Sequence, residues 1–446
     1  LFQGQTYHCK LFLTSSFFSV MIDIILSFVA IYKIKMFRVK GIANHWFAGA
    51  FAFKLILALG MVFMYSRTSE IKSSADIFKY YEDGKAIYQT LKTDPQAYFK
   101  IMSGIDTTSP EVWKYIVKTY NWDNHKDSSL FSNNRLIIRY IAFLSIFTLG
   151  HYGGILVITL FLSFMGLFWI FRFFNSKLPN KKWLIFALIF FTPSIAFWSS
   201  GLLKETLIIF AIGLLLNCGN YALKGKKPIP RFVMVLLAFA IIFQLKAFVF
   251  FTLFPAVIGY LWNHYRPKQR VIIPYFILWF LAFSFASESN KYMNTGLFDL
   301  LLEKQLAFTE LAIQENAQSM IPPIQFDANS LSVMLNAPIA IINTLFRPMF
   351  WEVKNSMMAA AALENTILLL SLILIIIFPA KEIENRNLLW LCLSFALAFF
   401  VINGLMTPVL GALSRYRIPA LLFFEMGLIQ LIDFELVKQK ILSFKR

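Results

Sequence analysis

Long apolar runs follow one another through most of this sequence, separated by short connections that carry Lys and Arg. Hydrophobic residues make up 58% of the chain and charged residues 15%, so a soluble fold could not bury all of the apolar side chains. The runs are broken by Pro, Gly and charged residues, and they lack the strict alternation of an outer-membrane barrel. The sequence therefore predicts an all-α polytopic membrane protein.

The formal net charge is +18, a value that by itself could indicate a nucleic-acid partner. The Lys and Arg residues lie mostly in short connections, however, which is the pattern of an inner-membrane protein. We therefore expect a multi-pass protein of the bacterial cytoplasmic membrane, with membrane lipids and no nucleic acid as partners. Cys9, Cys218 and Cys392 lack a metal-like spacing and are interpreted as core thiols without a disulfide framework.

The basic connections also predict the orientation of the runs. Basic clusters at 33–40, 172–182, 224–231 and 266–270 mark the cytoplasmic side, as does the basic tail. Placing the apolar runs between them gives about eleven transmembrane helices, with the N-terminus outside. Runs such as 206–221 and 232–243 are shorter than the ~20 residues of a perpendicular span, which predicts short paired spans whose outer corners line a polar cavity.

Six segments follow from this pattern. Leu1-Phe2-Gln3-Gly4 resembles the remnant of a viral 3C-protease cleavage site, so residues 1–10 are interpreted as a tag remnant and outer N-terminus. The other predicted segments are two spans (11–65), an extracytoplasmic loop with interfacial helices (66–152), six short paired spans (153–286), a second extracytoplasmic loop with an amphipathic helix (287–355), and three spans with a basic cytoplasmic tail (356–446).

One connection between apolar runs carries a proline, a turn and then a charge pair. Pro193 is followed by Trp198-Ser-Ser-Gly-Leu-Leu-Lys204-Glu205, and residues 198–205 are here called the 198–205 corner. Charge at the edge of a span is costly unless it faces water, protein or a substrate, so the corner is a candidate functional site. A tight turn whose Lys and Glu simply reach the lipid headgroups is the structural alternative.

Cations are also retained at the other predicted outer edges. Their depth and charge suit the phosphate of a lipid-linked substrate, and Arg offers bidentate geometry. The candidate phosphate ligands are Lys204, Lys246, Arg347, Arg415 and Arg417. Other side chains predicted to line the same site are Tyr80, Tyr81, His151, Trp198, Trp351 and Glu352. Anchoring to phospholipid headgroups is the alternative for each single cation.

A carboxylate in the first outer loop is a candidate general base. Transfer of a sugar from a polyprenyl phosphate or diphosphate needs a base for the acceptor hydroxyl and fixed positive charge for the departing phosphate. Asp76 follows the second predicted span closely, which suits this role, and helix capping is its alternative. Glu205 and Glu352 are second candidates, with pairing to Lys204 or Arg347 as the alternative.

These features together resemble the GT-C superfamily of membrane glycosyltransferases, which use polyprenyl-linked sugars. The early outer-loop acid, the short paired spans and the late Arg415-Tyr416-Arg417 carry this resemblance. Pro193-Ser194, the 198–205 corner and Arg347-Pro348-x-x-Trp351-Glu352 also resemble bacterial multi-pass proteins usually grouped with that superfamily. The resemblance covers most of the chain from about His45 onward.

The resemblance implies a lipid-linked sugar as donor and a glycan, lipid or protein as acceptor. It also implies an outer-loop acid as base, which is Asp76, with Glu82 or Asp83 as rivals. GT-C enzymes place the catalytic loop after the first span, whereas here it follows the second, so either the first segment is an addition or Asp76 is not the equivalent residue. The usual Asp-x-Asp or Glu-x-Asp pattern is absent; no metal ligand is assigned, and a divalent metal stays open as a cofactor.

Two other classes of function stay open at this point. An enzyme like an O-antigen polymerase or ligase would depend on Arg347, Arg415, Arg417 and His151 more than on an early Asp. A non-catalytic membrane subunit of a translocation or secretion assembly would tolerate the loss of Asp76. The sequence has no Walker A loop, no metal-binding His/Cys cluster and no Gly-x-Ser-x-Gly nucleophile, so ATPases, zinc proteases and hydrolases have no motif support.

Overall fold

A computed structural model describes residues 16–67, 75–122, 134–226 and 228–443. Within these ranges the chain is helical and contains no β-strand. The helices are α1 (Ser16–Lys33), α2 (Asn44–Tyr65), α3 (Asp76–Thr93), α4 (Pro95–Ser103), α5 (Pro110–Ile116), α6 (Arg135–Thr148), α7 (Tyr152–Lys177), α8 (Lys182–Phe191), α9 (Pro193–Trp198), α10 (Lys204–Leu223), α11 (Pro228–Leu245), α12 (Ala247–Tyr265), α13 (Ile272–Glu288), α14 (Leu297–Gln314), α15 (Ser330–Phe346), α16 (Ser356–Ile377), α17 (Arg386–Met406), α18 (Leu410–Tyr416), α19 (Ile418–Leu431) and α20 (Phe434–Ser443). Short 3-10 turns lie at Lys35–Phe37, Pro179–Lys181, Ser289–Lys291 and Phe350–Glu352. The predicted tag remnant, Cys9 and the start of the first predicted span lie outside the described residues.

The described residues contain eight helices that are long and apolar enough to cross a membrane. They are α2, α7, α10, α11, α12, Ile272–Lys291, α16 and α17. Two shorter apolar helices, α15 and α19, have 17 and 14 residues. The chain is therefore a multi-pass helical membrane protein, as predicted, whereas the predicted number of eleven spans is not confirmed.

Two predicted spans differ from the structure in their limits. The apolar run 183–197 is not one helix, because α8 ends at Phe191 and a new helix begins at Pro193. Proline has no amide hydrogen and disfavours helical geometry in the residue before it, and Thr192 is extended, with ψ of 121°. The run 232–243 is longer than predicted, because Pro228 and Pro230 fit the first turn of α11 and the helix begins there.

The chain divides into two compact units that are interleaved in the sequence. Unit 1 consists of Leu1–Ile170 and Ala196–Lys246, and unit 2 consists of Phe171–Ile195 and Ala247–Arg446. The single helix α7 therefore begins in unit 1 and ends in unit 2. Each unit has a core of its own.

In unit 1, phenylalanine rings fill the space between α2 and the first part of α7. The rings of Phe51 and Phe164 have centroids 5.3 Å apart, and the Phe37 and Phe168 centroids are 4.6 Å apart. The helices α7 and α10 approach each other through glycines. A Cβ atom on Gly213 would lie 2.3 Å from the carbonyl oxygen of Gly166, so this contact requires the absence of a side chain.

In unit 2, α19 is the central element. Its residues are buried from Ile418 to Gln430, and it packs against α17 and α8. The Phe395 and Phe423 rings meet at 5.0 Å between α17 and α19. On another side of α17 a Cβ on Gly404 would lie 2.1 Å from the Ala340 carbonyl oxygen, so α15 and α17 also pack backbone to backbone.

We predict opposite effects for the same substitution at two glycines of α10. Gly213→Ala adds a methyl group where the Gly166 backbone lies, and overpacking of this kind costs about 1–3 kcal/mol. Gly219→Ala is the matched control, because no atom lies within 4 Å of its Cβ position and alanine favours a helix over glycine by up to ~1 kcal/mol. Thermal unfolding in detergent should give a lower midpoint for Gly213→Ala and an equal or higher one for Gly219→Ala. Equal midpoints for the two variants would contradict the close approach.

Candidate functional site

A buried lysine of α2 holds the 198–205 corner of unit 1 in place. The Lys54 ammonium donates to the carbonyl oxygen of Ser199 at 2.5 Å and to the Ser199 hydroxyl at 2.6 Å. Lys54 is only 3% exposed. The Ser163 hydroxyl of α7 donates to the same carbonyl at 3.0 Å. Two apolar helices therefore supply the donors that this turn of the backbone needs.

Further hydrogen bonds and packing contacts stabilise the rest of the corner. The Ser200 hydroxyl donates to the Ala196 carbonyl at 2.6 Å, and the Thr206 hydroxyl donates to the Gly201 carbonyl at 2.7 Å. A Cβ on Gly201 would lie 2.6 Å from Met61 Sδ and 3.2 Å from Ile77 Cγ2. The corner thus packs against the end of α2 and the beginning of α3.

Four of the predicted site residues lie near one another in unit 1. Lys204 and Glu205 form the first turn of α10, and both are buried. Glu205 Oε1 lies 2.6 Å from the Lys246 ammonium. The Lys204 ammonium lies 6.0 Å from the centre of the Tyr80 ring, within the range of a cation–π contact. The alternative in which Lys204 and Glu205 simply reach lipid headgroups does not fit this burial.

The three acids predicted in the first loop have different surroundings on α3. Asp76 is the first helical residue, next to Ile77, and the N-cap position belongs to Ala75. Glu82 is exposed. Asp83 is buried, and its two oxygens accept the backbone amides of Tyr120 at 2.9 Å and Asn121 at 2.7 Å. Asp83 therefore ties this later segment to α3, whereas Asp76 begins the helix that meets the corner.

Tyr81 and His151 lie at the junction of α3 with the start of α7. The Tyr81 hydroxyl donates to the Gly150 carbonyl at 2.8 Å, and its ring meets Tyr152 edge-on at 5.1 Å. Burial, reinforced by the charge of Glu82, raises the pKa of Tyr81 to about 12, so its phenol is a hydrogen-bond donor at neutral pH. His151 is half-buried and immediately precedes α7.

In unit 2, Arg417 is completely buried and fully engaged with protein acceptors at its two terminal nitrogens. Nη1 donates to the carbonyl oxygens of Thr344 and Leu345, both at 2.9 Å. Nη2 donates to Glu364 Oε1 at 2.8 Å and to Asn365 Oδ1 at 2.6 Å. A lipid phosphate would have to replace these hydrogen bonds, so direct phosphate binding suits Arg417 poorly.

Glu364 links Arg417 to the break between α8 and α9. Its carboxylate accepts the Ser194 amide and the Ser194 hydroxyl, both at 2.7 Å. A second buried carboxylate, Glu425 of α19, accepts the Thr192 hydroxyl at 3.0 Å. The amide and hydroxyl groups at the break are thus satisfied by carboxylates from two other helices.

The remaining predicted residues of unit 2 form a partly exposed group. Arg347 Nε donates to Glu352 Oε1 at 2.8 Å, Arg347 Nη2 pairs with the same oxygen, and Glu352 Oε2 accepts the Met349 amide at 2.8 Å. The alternative of Glu352 pairing with Arg347 is therefore the arrangement observed. Trp351 is 81% exposed. Arg415 is half-buried, with its guanidinium carbon 5.7 Å from the centre of the Tyr416 ring.

Several polar residues of these two groups were missed by the sequence analysis. Lys54, Glu364, Asn365 and Glu425 all lie inside long apolar helices and are buried. The available signal was a lone charged or amide residue within an apolar run. In a membrane such a residue is costly to bury, so it indicates a protein partner or a functional site rather than a solvated face.

No metal centre is evident in the described ranges, where no group of three or more His, Cys, Asp or Glu residues is placed to hold a metal ion. Comparison of the chain with protein-family models, curated proteins and solved structures gives no match. The resemblance to GT-C enzymes therefore stays a prediction from the motifs.

We predict that Arg417→Leu destabilises the protein strongly. It leaves the Glu364 carboxylate buried without its cation, and breaking a buried ion pair in this way costs about 3–5 kcal/mol. The double variant Arg417→Leu/Glu364→Leu removes both charges and should recover part of the loss. Thermal unfolding in detergent measures both effects, with the exposed Arg386→Leu as control. A single variant as stable as this control would contradict the network.

A second prediction concerns pH and the Arg347–Glu352 pair. Burial alone would raise the pKa of Glu352, but the hydrogen bonds from Arg347 and the Met349 amide, with the charge of Arg347, outweigh it and lower that pKa. A carboxyl group whose pKa is lower in the folded state stabilises the fold above its unfolded pKa, near 4.5, and this stabilisation is lost as the pH falls through the folded value.

Glu352→Gln should therefore lower the unfolding midpoint at pH 7, by the equivalent of about 0.5–1 kcal/mol for a partly exposed pair. The difference from the unsubstituted protein should shrink as the pH is lowered toward 4. Glu435→Gln, at an exposed glutamate, is the control. A difference that stays constant with pH would show that the charge of Glu352 is not what stabilises this turn.

Proposed function

We propose that this chain is a membrane glycosyltransferase of GT-C type that transfers a sugar from a polyprenyl phosphate or diphosphate at the extracytoplasmic face of the bacterial inner membrane. The observation that carries the proposal is the group formed by Tyr80, Lys204, Glu205 and Lys246 in unit 1. Ionisable side chains buried among apolar helices are costly, and in membrane proteins they mark substrate sites by default.

The lysines supply the charge that such a reaction requires. Lys204 is the proposed contact of the donor phosphate, with its ammonium over the Tyr80 ring. Lys246 is the second cation, and Glu205 fixes its position through their 2.6 Å ion pair. Preorganised cations of this kind stabilise the negative charge that develops on a departing phosphate, with the largest effect where water is excluded.

Asp76 is the proposed general base. It takes the proton of the acceptor hydroxyl while the hydroxyl oxygen attacks the anomeric carbon, and the bond from that carbon to the phosphate oxygen breaks with its electron pair leaving on the phosphate. Support comes from its position next to Ile77, which packs against Gly201 of the corner. Glu82 on the same helix is the second choice, since the oxygens of Asp83 hold two backbone amides.

The unit 2 cations have a smaller part in this proposal. Arg347 and Arg415 are partly exposed and keep their proposed role as contacts of an anionic lipid group. Arg417 is assigned a positioning role, because its terminal nitrogens bind the end of α15 and the side of α16 next to the start of α19.

We predict that Asp76→Asn lowers transfer far more than it lowers stability. Loss of a general base costs about 10²–10⁴-fold in rate, whereas the shape of the side chain is kept. The measurement is the cell-envelope glycan profile of a strain carrying each variant, followed by transfer in proteoliposomes from an undecaprenyl-linked sugar. Lys204→Met should lose transfer as well, and Asp327→Asn, at an exposed aspartate, should not.

Different outcomes separate the alternatives. An unchanged profile with both Asp76→Asn and Arg347→Ala would favour a non-catalytic subunit. Loss with Arg347→Ala alone would favour an enzyme like an O-antigen polymerase or ligase. A density map with a polyprenyl-phosphate donor tests the site directly, and phosphate density away from Lys204 and Lys246 would overturn the assignment.

A further inference from the structure

Lys54 is a buried ammonium whose contacts in the described chain go to one residue. It lies inside α2, and both of its acceptors, the carbonyl oxygen and the hydroxyl, belong to Ser199. An ammonium has three donor hydrogens, and no carboxylate is among the contacts of Lys54 in the described ranges. A lysine in this setting is costly for the fold, so its presence needs a reason other than stability.

The carbonyl oxygen of Ser199 accepts hydrogen bonds from side chains of two helices. Lys54 reaches it from α2 and Ser163 reaches it from α7, and a carbonyl oxygen has two lone pairs. The turn at Ser199 cannot shift relative to either helix without breaking one of these hydrogen bonds. Its place is therefore fixed with respect to both helices.

The same helix also contacts the corner at a second point. Met61 lies about two turns beyond Lys54 on α2, and its sulfur is the closest atom to the Cβ position of Gly201. Ile77, next to Asp76 in the sequence, also lies close to the Cβ position of Gly201, with its Cγ2 at 3.2 Å. The chain between Ser199 and Lys204 is thus held at both Ser199 and Gly201 before α10 begins.

We propose that Lys54 is a positioning residue for the site: through Ser199 it fixes the corner, and with it the place of Lys204 over Tyr80. Lys54 itself does not touch the substrate. This role rests on the proposed function, because a displaced Lys204 would bind the donor phosphate less well.

The first measurement needs no activity. Hydrogen exchange of the full chain in nanodiscs reports on the backbone of residues 196–206, where the Ser200 amide donates to the Phe197 carbonyl and the Thr206 amide donates to the Leu203 carbonyl. Lys54→Met keeps an unbranched side chain and removes the donors of two buried hydrogen bonds, so exchange in this segment should rise on the order of tenfold. Lys33→Met, at an exposed lysine of unit 1, is the matched control and should leave the segment unchanged.

The second measurement is a double-mutant cycle between Lys54 and Lys204. The probe is undecaprenyl phosphate in phosphatidylcholine nanodiscs, and the readout is its dissociation constant. If Lys54 acts through Lys204, Lys54→Met and Lys204→Met each weaken binding by about tenfold, and the double variant is no weaker than the worse single variant. A purely structural role gives losses that multiply.

The two measurements together test the positioning role of Lys54. Faster exchange in residues 196–206 together with non-additive losses supports the positioning role. Unchanged exchange in Lys54→Met overturns it, and so do losses that multiply. If the unsubstituted protein neither binds the probe nor transfers sugar, the proposed function fails and the positioning role fails with it, while the exchange result still reports whether Lys54 holds the corner.

If Lys54→Met does not fold, Ser163→Ala provides a milder form of the same test. It removes the second donor to the Ser199 carbonyl and leaves Lys54 in place. Exchange in residues 196–206 should rise by a smaller factor, and binding of the probe should weaken in the same direction. No change in either quantity would overturn the proposal.

Discussion

Arg417 immediately precedes α19 and has no exposed surface, and the arrangement of unit 2 depends on the hydrogen bonds that its guanidinium makes. Its guanidinium joins the last turn of α15 to the middle of α16, and Glu364 of α16 extends the connection to the break after α8. A planar guanidinium with five donors in a fixed fork suits this bridge between α15 and α16 better than the single ammonium of a lysine. The buried polar groups at the helix break thereby receive protein partners.

Unit 1 also contains buried backbone that needs hydrogen-bond partners, and a lysine provides them. There the backbone that needs donors is the 198–205 corner, and Lys54 and Ser163 supply them. A lysine has one nitrogen rather than a fork, and Lys54 holds the carbonyl and the hydroxyl of a single residue, Ser199, instead of two helices. Both units therefore use a buried basic side chain as a hydrogen-bond donor to hold helices or an irregular piece of chain in place.

The class of fold follows from the sequence because apolar runs separated by basic connections admit few other structures. The limits of the helices follow less well: Pro193 is visible in its apolar run, yet only the extended Thr192 shows that it ends one helix and starts another. The packing partners of each helix are the least predictable from the sequence. Lipid-facing and protein-facing side chains are both apolar in a membrane protein, so periodicity does not tell which face of α2 carries Lys54 inward or which helix meets Arg417. Of the site, the sequence indicated the corner and the nearby cations, and the role of Asp83 as a backbone anchor became visible only with Tyr120 and Asn121 in place.

The interleaving of the two units has a consequence for biosynthesis. Residues 171–195 leave the ribosome with unit 1 on both sides of them in the sequence, but they belong to unit 2. The hydroxyl of Ser194 meets Glu364 across 170 residues of chain, and that of Thr192 meets Glu425 across 233. Until those helices have been inserted, this polar break lacks its native acceptors. This segment can therefore misfold most easily during membrane insertion, before its partner helices have been made.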